Sequence, residues 1–293
     1  MNIITIGNFT TGWDGSICDE EHIAQGLEYM GHHVTRWQRG EPVPSRHEGY
    51  DFALIAQWDG YGSELFKMIK VYCAGPIVYW AFDYQAEGQE WHERLIDMAD
   101  LYLSKRIADS KYDNWRWLSQ DFAPMFLHEY TGYVEKDIDI LFTGSYLPWA
   151  TERIETLRAV DKMFDLTIHS FTPDAWINEG FKDVHGPVMD ADLPKLIARA
   201  NLNLSIDHTI EAGYWSDRNA QIMVCGGNVL SRYVPMAEAT FKDHIHYFYS
   251  VDDCLAKIEQ GVAHSADSYY YAQSNLKVVN RVQDLLTIVG SIL

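Results

Sequence analysis

The feature that most constrains the fold is a regular alternation of short apolar runs with amphipathic segments. Runs rich in β-branched and aromatic residues predict strands, and the segments between them have helical spacing of apolar positions. The expected strands are Asn2–Gly7, His33–Gln38, Asp51–Gln57, Ile77–Phe82 and Leu101–Ser104, and the expected helices are Asp19–Met30, Ser63–Cys73 and Glu90–Met98. Because these strands are almost continuously apolar, the pattern predicts a parallel sheet covered by helices on both faces.

A second series of the same kind begins after Thr131-Gly132. We therefore expect an α/β protein with two Rossmann-like, doubly wound domains that face each other across a cleft, where ligands of such folds bind. The expected domains are residues 1–133 and 134–270, with a C-terminal helix in 271–293 that packs back on the first domain. The second series has expected strands at Ile138–Thr143, Leu166–His169, Leu202–Ile206, Asn228–Ser231 and Tyr247–Tyr249, and expected helices at Thr151–Phe164, Leu193–Ala200, Ser216–Cys225, Val251–Gln260 and Ser268–Leu286.

Composition narrows the class of partner. The formal net charge of −19 repels nucleic acid and anionic membranes at long range, although it leaves room for a local basic groove. No basic leader or long apolar window is present, so we expect no signal peptide and no membrane insertion. The four cysteines form no C-x-x-C pair, which is typical of a reduced, cytoplasmic protein. Ten Trp and 18 Tyr residues are more than a core usually needs, and flat rings also pack against sugars.

The strongest local pattern lies in residues 216–238. A helix ends in Cys225-Gly226-Gly227, a short strand follows, and the loop Tyr233–Glu238 comes next. Arg218 falls near the start of that helix. An arginine beside free helix N–H groups suits a diphosphate, although a helix–Gly-Gly–strand turn is equally a common structural feature.

The order of these features resembles the group 1 glycosyltransferases of the GT-B fold, particularly their CgeB-like branch. The resemblance extends over the C-terminal half, through 137–145, 185–206 and 246–258, whereas the N-terminal half shares only the strand–helix pattern and the segment YWAFD. It implies an enzyme that moves a sugar from a nucleoside-diphosphate sugar, such as a UDP-sugar, to an acceptor hydroxyl. No metal is expected, because GT-B enzymes bind the diphosphate through helix ends and cationic side chains. No cofactor is expected either, since the nucleotide sugar is a co-substrate. The expected acceptor is a glycan or small molecule, with modified DNA less favoured.

The resemblance also implies roles for individual residues on the donor side. Backbone groups of Gly144 and Ser145 are expected near the phosphates, with Arg153 and Arg218 as cations. Gln221 occupies the second position of the Glu-x7-Glu pair that holds the ribose in relatives, and Gly213 occupies the first, so both acidic positions are changed. The remaining expected donor contacts are His185, Gly186, Pro187 and Val188 at the base, and Glu238 in the acidic loop.

In the first half, Asp83 follows an expected strand and is our candidate catalytic base. Burial among Tyr79, Trp80 and Tyr84 would raise its pKa and suit it to deprotonate an acceptor hydroxyl in an inverting reaction, whereas the alternative is a helix cap or a surface acid. The loop with Gly12, Trp13 and Asp14 is the expected acceptor contact, or simply a turn.

Other patterns give weaker hypotheses. The D-x-D pairs Asp137/Asp139 and Asp190/Asp192 are better explained by capping or solvation than by a metal, and His244-x-His246 has no further ligand at suitable spacing. Two functional alternatives stay open, a phage-type DNA-base glycosyltransferase and a non-catalytic nucleotide-sugar-binding protein of the same fold. A Rossmann oxidoreductase is disfavoured because the first strand lacks the dinucleotide glycine pattern.

Overall fold

The computed structural model describes residues 1–10, 17–42, 44, 49–56, 63–82, 89–120, 122–124, 134–189, 192–263 and 266–293. The chain forms two compact units. Unit 1 combines Met1–Gln120 with Val278–Leu293, and unit 2 is Asp121–Lys277. The domain limits expected from the sequence stay a prediction.

Unit 1 contains a six-stranded parallel sheet in the order β2-β1-β3-β4-β5-β6. Its central strands are buried on both faces, which explains their continuous apolar sequences. The strands are β1 (Asn2–Gly7), β2 (His33–Gln38), β3 (Phe52–Ala56), β4 (Ile77–Trp80), β5 (Leu101–Ser104) and β6 (Trp115–Trp117), and the helices are α1 (Asp19–Tyr29), α2 (Ser63–Tyr72), α3 (Glu90–Met98) and the C-terminal α11 (Val278–Gly290), with a 3₁₀ turn at Ile107–Lys111.

The C-terminal helix α11 packs against α1. Gly26 permits this approach, because a Cβ at that position would lie 3.0 Å from Val282 Cγ2 and 3.5 Å from Val278 Cγ2. Val278 and Val282 are fully buried. Two chain segments more than 250 positions apart in sequence therefore share one core.

A buried polar network lies beside the β4–β5 pair of unit 1. The Tyr79 hydroxyl is 2.9 Å from His92 Nδ1, and the Tyr102 hydroxyl is 3.3 Å from His92 Nε2. Tyr102 and Ser104 both donate to the Asp109 carboxylate at 2.7 Å. Burial lowers the pKa of His92 to about 4, so the ring is neutral at physiological pH.

Unit 2 contains a second six-stranded parallel sheet, in the order β12-β11-β10-β7-β8-β9. Its core is aromatic, with Phe142, Trp176 and Phe248 fully buried. The strands are β7 (Ile138–Thr143), β8 (Leu166–His169), β9 (Asp183–His185), β10 (Ala200–Ser205), β11 (Val229–Arg232) and β12 (His246–Phe248), and the helices are α4 (Thr151–Met163), α5 (Pro173–Asn178), α6 (Leu193–Arg199), α7 (Arg218–Val224), α8 (Ala237–Phe241), α9 (Val251–Gln260) and α10 (Ala266–Asn275).

The α/β, doubly wound architecture expected from the sequence is confirmed. The expected single helix Ser268–Leu286 is wrong, because the chain breaks between α10 and α11 at Leu276 and Lys277. There the Leu276 carbonyl accepts the Ala123 N–H at 2.7 Å, and Ala123 pairs with Lys277 in a parallel bridge. The sequence also did not predict β6, β9, α5 and α8, which are all six residues or shorter.

Among the helices of the described ranges, none has both the length and the apolar character that crossing a membrane requires.

Substituting Gly227 by alanine should destabilise unit 2. A Cβ there would lie 2.5 Å from Ile222 Cγ2, 2.6 Å from Ile197 Cγ2 and 2.9 Å from Asn203 Nδ2. Overpacking of this kind costs about 1–3 kcal/mol, so Gly227→Ala should lower the midpoint of thermal unfolding. Gly290→Ala is the matched control, since its Cβ would meet no atom within 4 Å. Equal midpoints for the two variants would contradict the packing described at Gly227.

The buried His92 should make unit 1 less stable in mild acid. Its folded-state pKa of about 4 lies below the ordinary value of 6.5, so the unfolded chain binds the proton more readily. The contribution of neutral His92 to the free energy of unfolding is therefore present above pH 6.5 and is lost as the pH falls from 6.5 towards 4. Its size is on the order of 3 kcal/mol. Urea unfolding of the wild type and His92→Gln should show a weaker pH dependence for the variant in this window. The exposed His33→Gln control should behave as the wild type, and the same slope for all three would rule the effect out.

Candidate active site

The sheet of unit 2 has a switch point between β7 and β10. From β7 the chain proceeds outward to β8 and β9, then returns to the other side of β7 to form β10, β11 and β12. In open parallel sheets, the crevice at the carboxyl ends of the two strands beside such a reversal is where ligands bind. The residues that follow β7 and β10 are therefore the first place to look for a site.

Arg218 reaches this switch point from the first residue of α7. Its Nε donates to the Thr143 carbonyl at 2.8 Å, at the carboxyl end of β7. Its Nη1 lies 3.5 Å from the Ile206 carbonyl, directly after β10, and 3.2 Å from Ser216 Oγ. The helix expected over Ser216–Cys225 begins two residues later than predicted, so Arg218 is its first residue.

Arg153, in the first turn of α4, reaches the same place from the other side. Its Nε donates to the Ile206 carbonyl at 2.8 Å and its Nη1 to the Ser145 carbonyl at 3.3 Å. The side chain is buried. Burial, and after it the neighbouring charge of Arg218, lowers the pKa of this guanidinium.

One carboxylate accompanies the two guanidinium groups. Asp207 Oδ1 lies 3.9 Å from Arg218 Nη1 and accepts the Ser216 N–H at 3.1 Å. Its side chain is only 3% exposed. In the described part of the chain, no other carboxylate lies within salt-bridge distance of either guanidinium, so this buried group of three carries one excess positive charge.

An aromatic ring packs near the guanidinium groups of both Arg153 and Arg218. The Phe142 ring, on β7, lies 5.3 Å from the Arg218 guanidinium carbon and 5.8 Å from that of Arg153. These are cation–π distances. The buried Trp176 packs edge-on against Phe142 and donates from its indole N–H to the Gly144 carbonyl at 3.1 Å, which fixes the start of the β7–α4 loop.

Gly144 has a different role from the one expected. Its N–H donates to the His169 carbonyl at 3.0 Å, so this amide is occupied by the β7–β8 pairing and does not face a phosphate. Its missing side chain makes room instead, since a Cβ would lie 2.9 Å from Phe142 Cζ and 3.1 Å from Arg218 Nη2. Ser145 contributes its carbonyl oxygen to Arg153, as described above.

The segment expected at the nucleotide base starts at His185, the last residue of β9, and continues beyond it at the same carboxyl edge. His185, Gly186 and Pro187 are exposed and Val188 is half-buried. The His185 ring stacks on His169 with 4.9 Å between centroids, and His169 Nδ1 is 2.9 Å from the Gly186 carbonyl oxygen. Burial lowers the pKa of His169.

The two changed acidic positions have physical explanations. Gly213 has φ = 80°, a left-handed conformation that a glutamate rarely adopts, and its N–H is bonded to the Pro235 carbonyl at 3.0 Å. The Gln221 amide donates to the Asp217 carboxylate one turn earlier. Glu238 is exposed in the first turn of α8 and accepts the Tyr233 hydroxyl at 3.1 Å.

The candidates of the first half lie outside the described residues. This holds for Asp83 and for the acceptor-loop residues Gly12, Trp13 and Asp14, and it holds for Asp190 of the second D-x-D pair.

The remaining metal candidates have other partners. Asp137 forms a two-pronged ion pair with Arg199, and His244 stacks on Tyr271. In the ranges that the structure describes, no group of three or more His, Cys, Asp or Glu residues is arranged to hold a metal ion.

Sequence reasoning missed three contributors to the switch point. Phe142, Trp176 and Asp207 read as ordinary core or loop residues in the sequence. Only Asp207 carries a usable signal, because a charged residue directly after an apolar strand falls at the carboxyl edge of the sheet. The shared carbonyl of Ile206 and the Trp176 contact depend on tertiary packing.

Comparison with known proteins adds family and fold. Residues 152–284 match the family model described as glycosyl transferase-like. No protein of established function matches the chain in a sequence comparison. In structure, the chain is similar to sucrose-phosphate synthase from Thermosynechococcus elongatus, with a TM-score of 0.63, 10% identity and 99% of each chain covered.

Two further structures were determined with nucleotides. One is HepE from Anabaena in complex with UDP-glucose, at a TM-score of 0.65 and 13% identity, covering 99% of this chain and 100% of that one. The other is an α-glucosyltransferase in complex with UDP and a 13-mer DNA, at a TM-score of 0.69 and 9% identity, covering 99% of each chain.

At these identities the structural likeness shows the fold, and the family model describes residues 152–284. The CgeB-like branch is not among these matches and stays a prediction. The chain has the GT-B fold expected from the sequence, and residues 152–284 carry a glycosyl transferase-like domain.

Proposed function

We propose that this protein transfers a glycosyl group from a nucleoside-diphosphate sugar to an acceptor hydroxyl, and that the donor diphosphate binds at Arg153 and Arg218. The observation that carries the proposal is the excess positive charge of the Arg153–Arg218–Asp207 group at the switch point. Keeping two like charges close together and largely out of water is costly. An anion at this edge offsets that cost, and guanidinium groups pair well with phosphate oxygens.

We favour uracil as the base of the donor nucleotide. The HepE structure contains UDP-glucose and the α-glucosyltransferase structure contains UDP, and both share the fold of this chain. The segment His185–Val188, exposed in its first three residues, lies at the same carboxyl edge as the arginine pair, two strands away from β7 in the order β7-β8-β9. Neighbouring strands are about 4.8 Å apart, so a nucleotide can reach from the arginines to this segment.

The arginine pair also supplies the chemistry that the reaction needs. As the bond between sugar and diphosphate breaks, negative charge accumulates on the leaving phosphate, and fixed cations stabilise that charge without reorganisation. The two arginines supply this charge from side chains, and on this ground we propose a reaction without a metal or another cofactor. Asp83 stays our proposed base for the acceptor hydroxyl in an inverting transfer.

A DNA acceptor is the second candidate. The likeness to the DNA-bound α-glucosyltransferase favours it. The net charge of −19 stands against it, because phosphate contacts dominate affinity for DNA.

We place the reaction in a reducing compartment, the cytoplasm, in keeping with four free cysteines.

Replacing Arg218 by lysine should weaken nucleotide binding. Lysine keeps the charge but loses the planar fork that holds Thr143, Ile206 and a phosphate together. UDP should raise the melting temperature of the wild type, and the dissociation constant should rise at least about tenfold in Arg218→Lys. Arg158→Lys is the matched control, since Arg158 pairs with Glu179 on an exposed surface.

Two results would count against the proposal. If no nucleoside diphosphate or nucleotide sugar raises the melting temperature of the wild type, the proposed function is wrong. If Arg218→Lys binds UDP as tightly as Arg158→Lys does, the donor lies elsewhere.

Replacing Asp207 by asparagine should have opposite effects on stability and on anion binding. The asparagine oxygen can still accept the Ser216 N–H, but the two guanidinium groups lose their carboxylate. Without ligand, the melting temperature should fall, by an amount equivalent to about 1–3 kcal/mol. Inorganic pyrophosphate should then raise it by more than in the wild type, because the site carries one more positive charge. Asp192→Asn, which alters an exposed pair with Lys195, should change neither property, and a pyrophosphate response of Asp207→Asn no larger than that of the wild type would refute the charge balance.

A further inference from the structure

Three tyrosines share one face of the sheet at the carboxyl ends of β11 and β12. The register pairs Ser231 with Tyr247 and Arg232 with Phe248. Since side chains alternate along a strand, Tyr233 continues the face of Ser231, and Tyr249 continues the face of Tyr247. The Tyr233 N–H, bonded to the Phe248 carbonyl at 2.9 Å, extends the pairing by one residue and keeps these rings together.

The three rings, which we call the tyrosine platform (Tyr233, Tyr247 and Tyr249), form a continuous aromatic surface. The rings of Tyr233 and Tyr249 are 4.9 Å apart and tilted by 39°, and Tyr247 meets Tyr233 edge-on at 5.5 Å. Tyr249 is 58% exposed although its ring packs against that of Tyr233. The platform therefore offers an apolar aromatic face to solvent at Tyr249.

Hydrogen-bonding groups border this face. Glu238 accepts the Tyr233 hydroxyl through Oε1 and is exposed. The Lys257 ammonium lies 5.5 Å from the centre of the Tyr249 ring. The Tyr247 hydroxyl is buried and has no hydrogen-bond partner among the described residues.

This combination matches the chemistry of a sugar ring. A pyranose has an apolar C–H face that packs on aromatic rings, and its edge carries hydroxyl groups that donate to carboxylates. A nucleic acid fits poorly, because the carboxylate of Glu238 borders the platform in a chain of net charge −19. The hydroxyl and carboxylate groups also distinguish the platform from the larger apolar patches of protein interfaces.

The position of the platform agrees with a role in transfer. In the sheet, β11 is next to β10, and β12 is one strand farther. With about 4.8 Å between strands, the platform lies one to two strand spacings from the arginine pair. A ring bound there lies beside the diphosphate rather than on it.

We propose that the tyrosine platform, with Glu238, binds a sugar ring of the acceptor, so that the acceptor of this protein is a saccharide. The proposal rests on the proposed function, and it moves Glu238 from the donor to the acceptor. Tyr233 and Tyr249 stack on the ring, Glu238 accepts hydrogen bonds from its hydroxyl groups, and Tyr247 supports Tyr233 by packing edge-on against it.

The test measures transfer to neutral disaccharides. The wild type, supplied with radiolabelled UDP-glucose, is assayed with maltose, cellobiose, lactose and sucrose. For the disaccharides that accept glucose, Tyr249→Ala should raise the acceptor KM about tenfold, the size expected for losing one aromatic stacking contact, with kcat within twofold. Tyr249→Phe should restore the KM, because the ring remains. The UDP dissociation constant should stay unchanged in both variants.

Tyr29→Ala is the matched control. Tyr29 is 72% exposed and lies on α1 in unit 1, so its removal should leave all of these constants unchanged. If the wild type binds UDP yet glycosylates none of the four disaccharides, the inference is wrong while the donor site stands. It is also wrong if Tyr249→Ala leaves the acceptor KM unchanged, or if the variant loses UDP affinity instead, since the platform would then bind the nucleotide. Absence of any nucleotide binding by the wild type would overturn the proposed function itself.

Discussion

Two guanidinium groups that share the Ile206 carbonyl determine the arrangement at the carboxyl edge of the second sheet. Arg153 ties α4 to the end of β10, and Arg218 ties α7 to the ends of β7 and β10. Like charges so close together need compensation, which comes from carbonyl oxygens, the face of Phe142 and the single carboxylate of Asp207. The single carboxylate balances only one of the two positive charges. The same contacts that hold the strand ends together therefore leave a site that an anion completes.

The sequence predicted the fold better than the site. Continuous apolar strands such as β3 and β4 bury side chains on both faces, which requires a parallel sheet covered on both sides, so their pattern is informative. The edge strand β9 has an exposed, polar sequence (Asp183–His185), and it forms because β8 offers it a pairing edge. Sequence placed Arg153 and Arg218 at the right end of the sheet. It did not predict that the Gly144 N–H donates to the His169 carbonyl, because hydrogen bonds between segments far apart in sequence leave no local signal.

The departures from the family pattern are coordinated rather than random losses. At Gly213 the left-handed backbone and the bond to Pro235 fit a residue without a side chain, so restoring a glutamate alone would strain the loop. Gln221 and Asp217 are bonded to each other in the following turn. Hydrogen-bonding capacity is instead found at Glu238 in α8 and at the tyrosine platform. In the acceptor site that we propose, these groups rather than an acidic pair would bind the sugar.

The path of the chain through unit 1 has a consequence for biosynthesis. Unit 2 is a continuous stretch whose two ends are joined by the bridge between Ala123 and Lys277, so all its segments have been synthesised before α11 emerges from the ribosome. The core of unit 1 is incomplete until α11 has been synthesised, since Val278 and Val282 of α11 cover the surface of α1 at Gly26. During translation the nascent first half therefore exposes an apolar helix face while the second half can already fold. The core of unit 1 is completed by a helix that is made after all of unit 2.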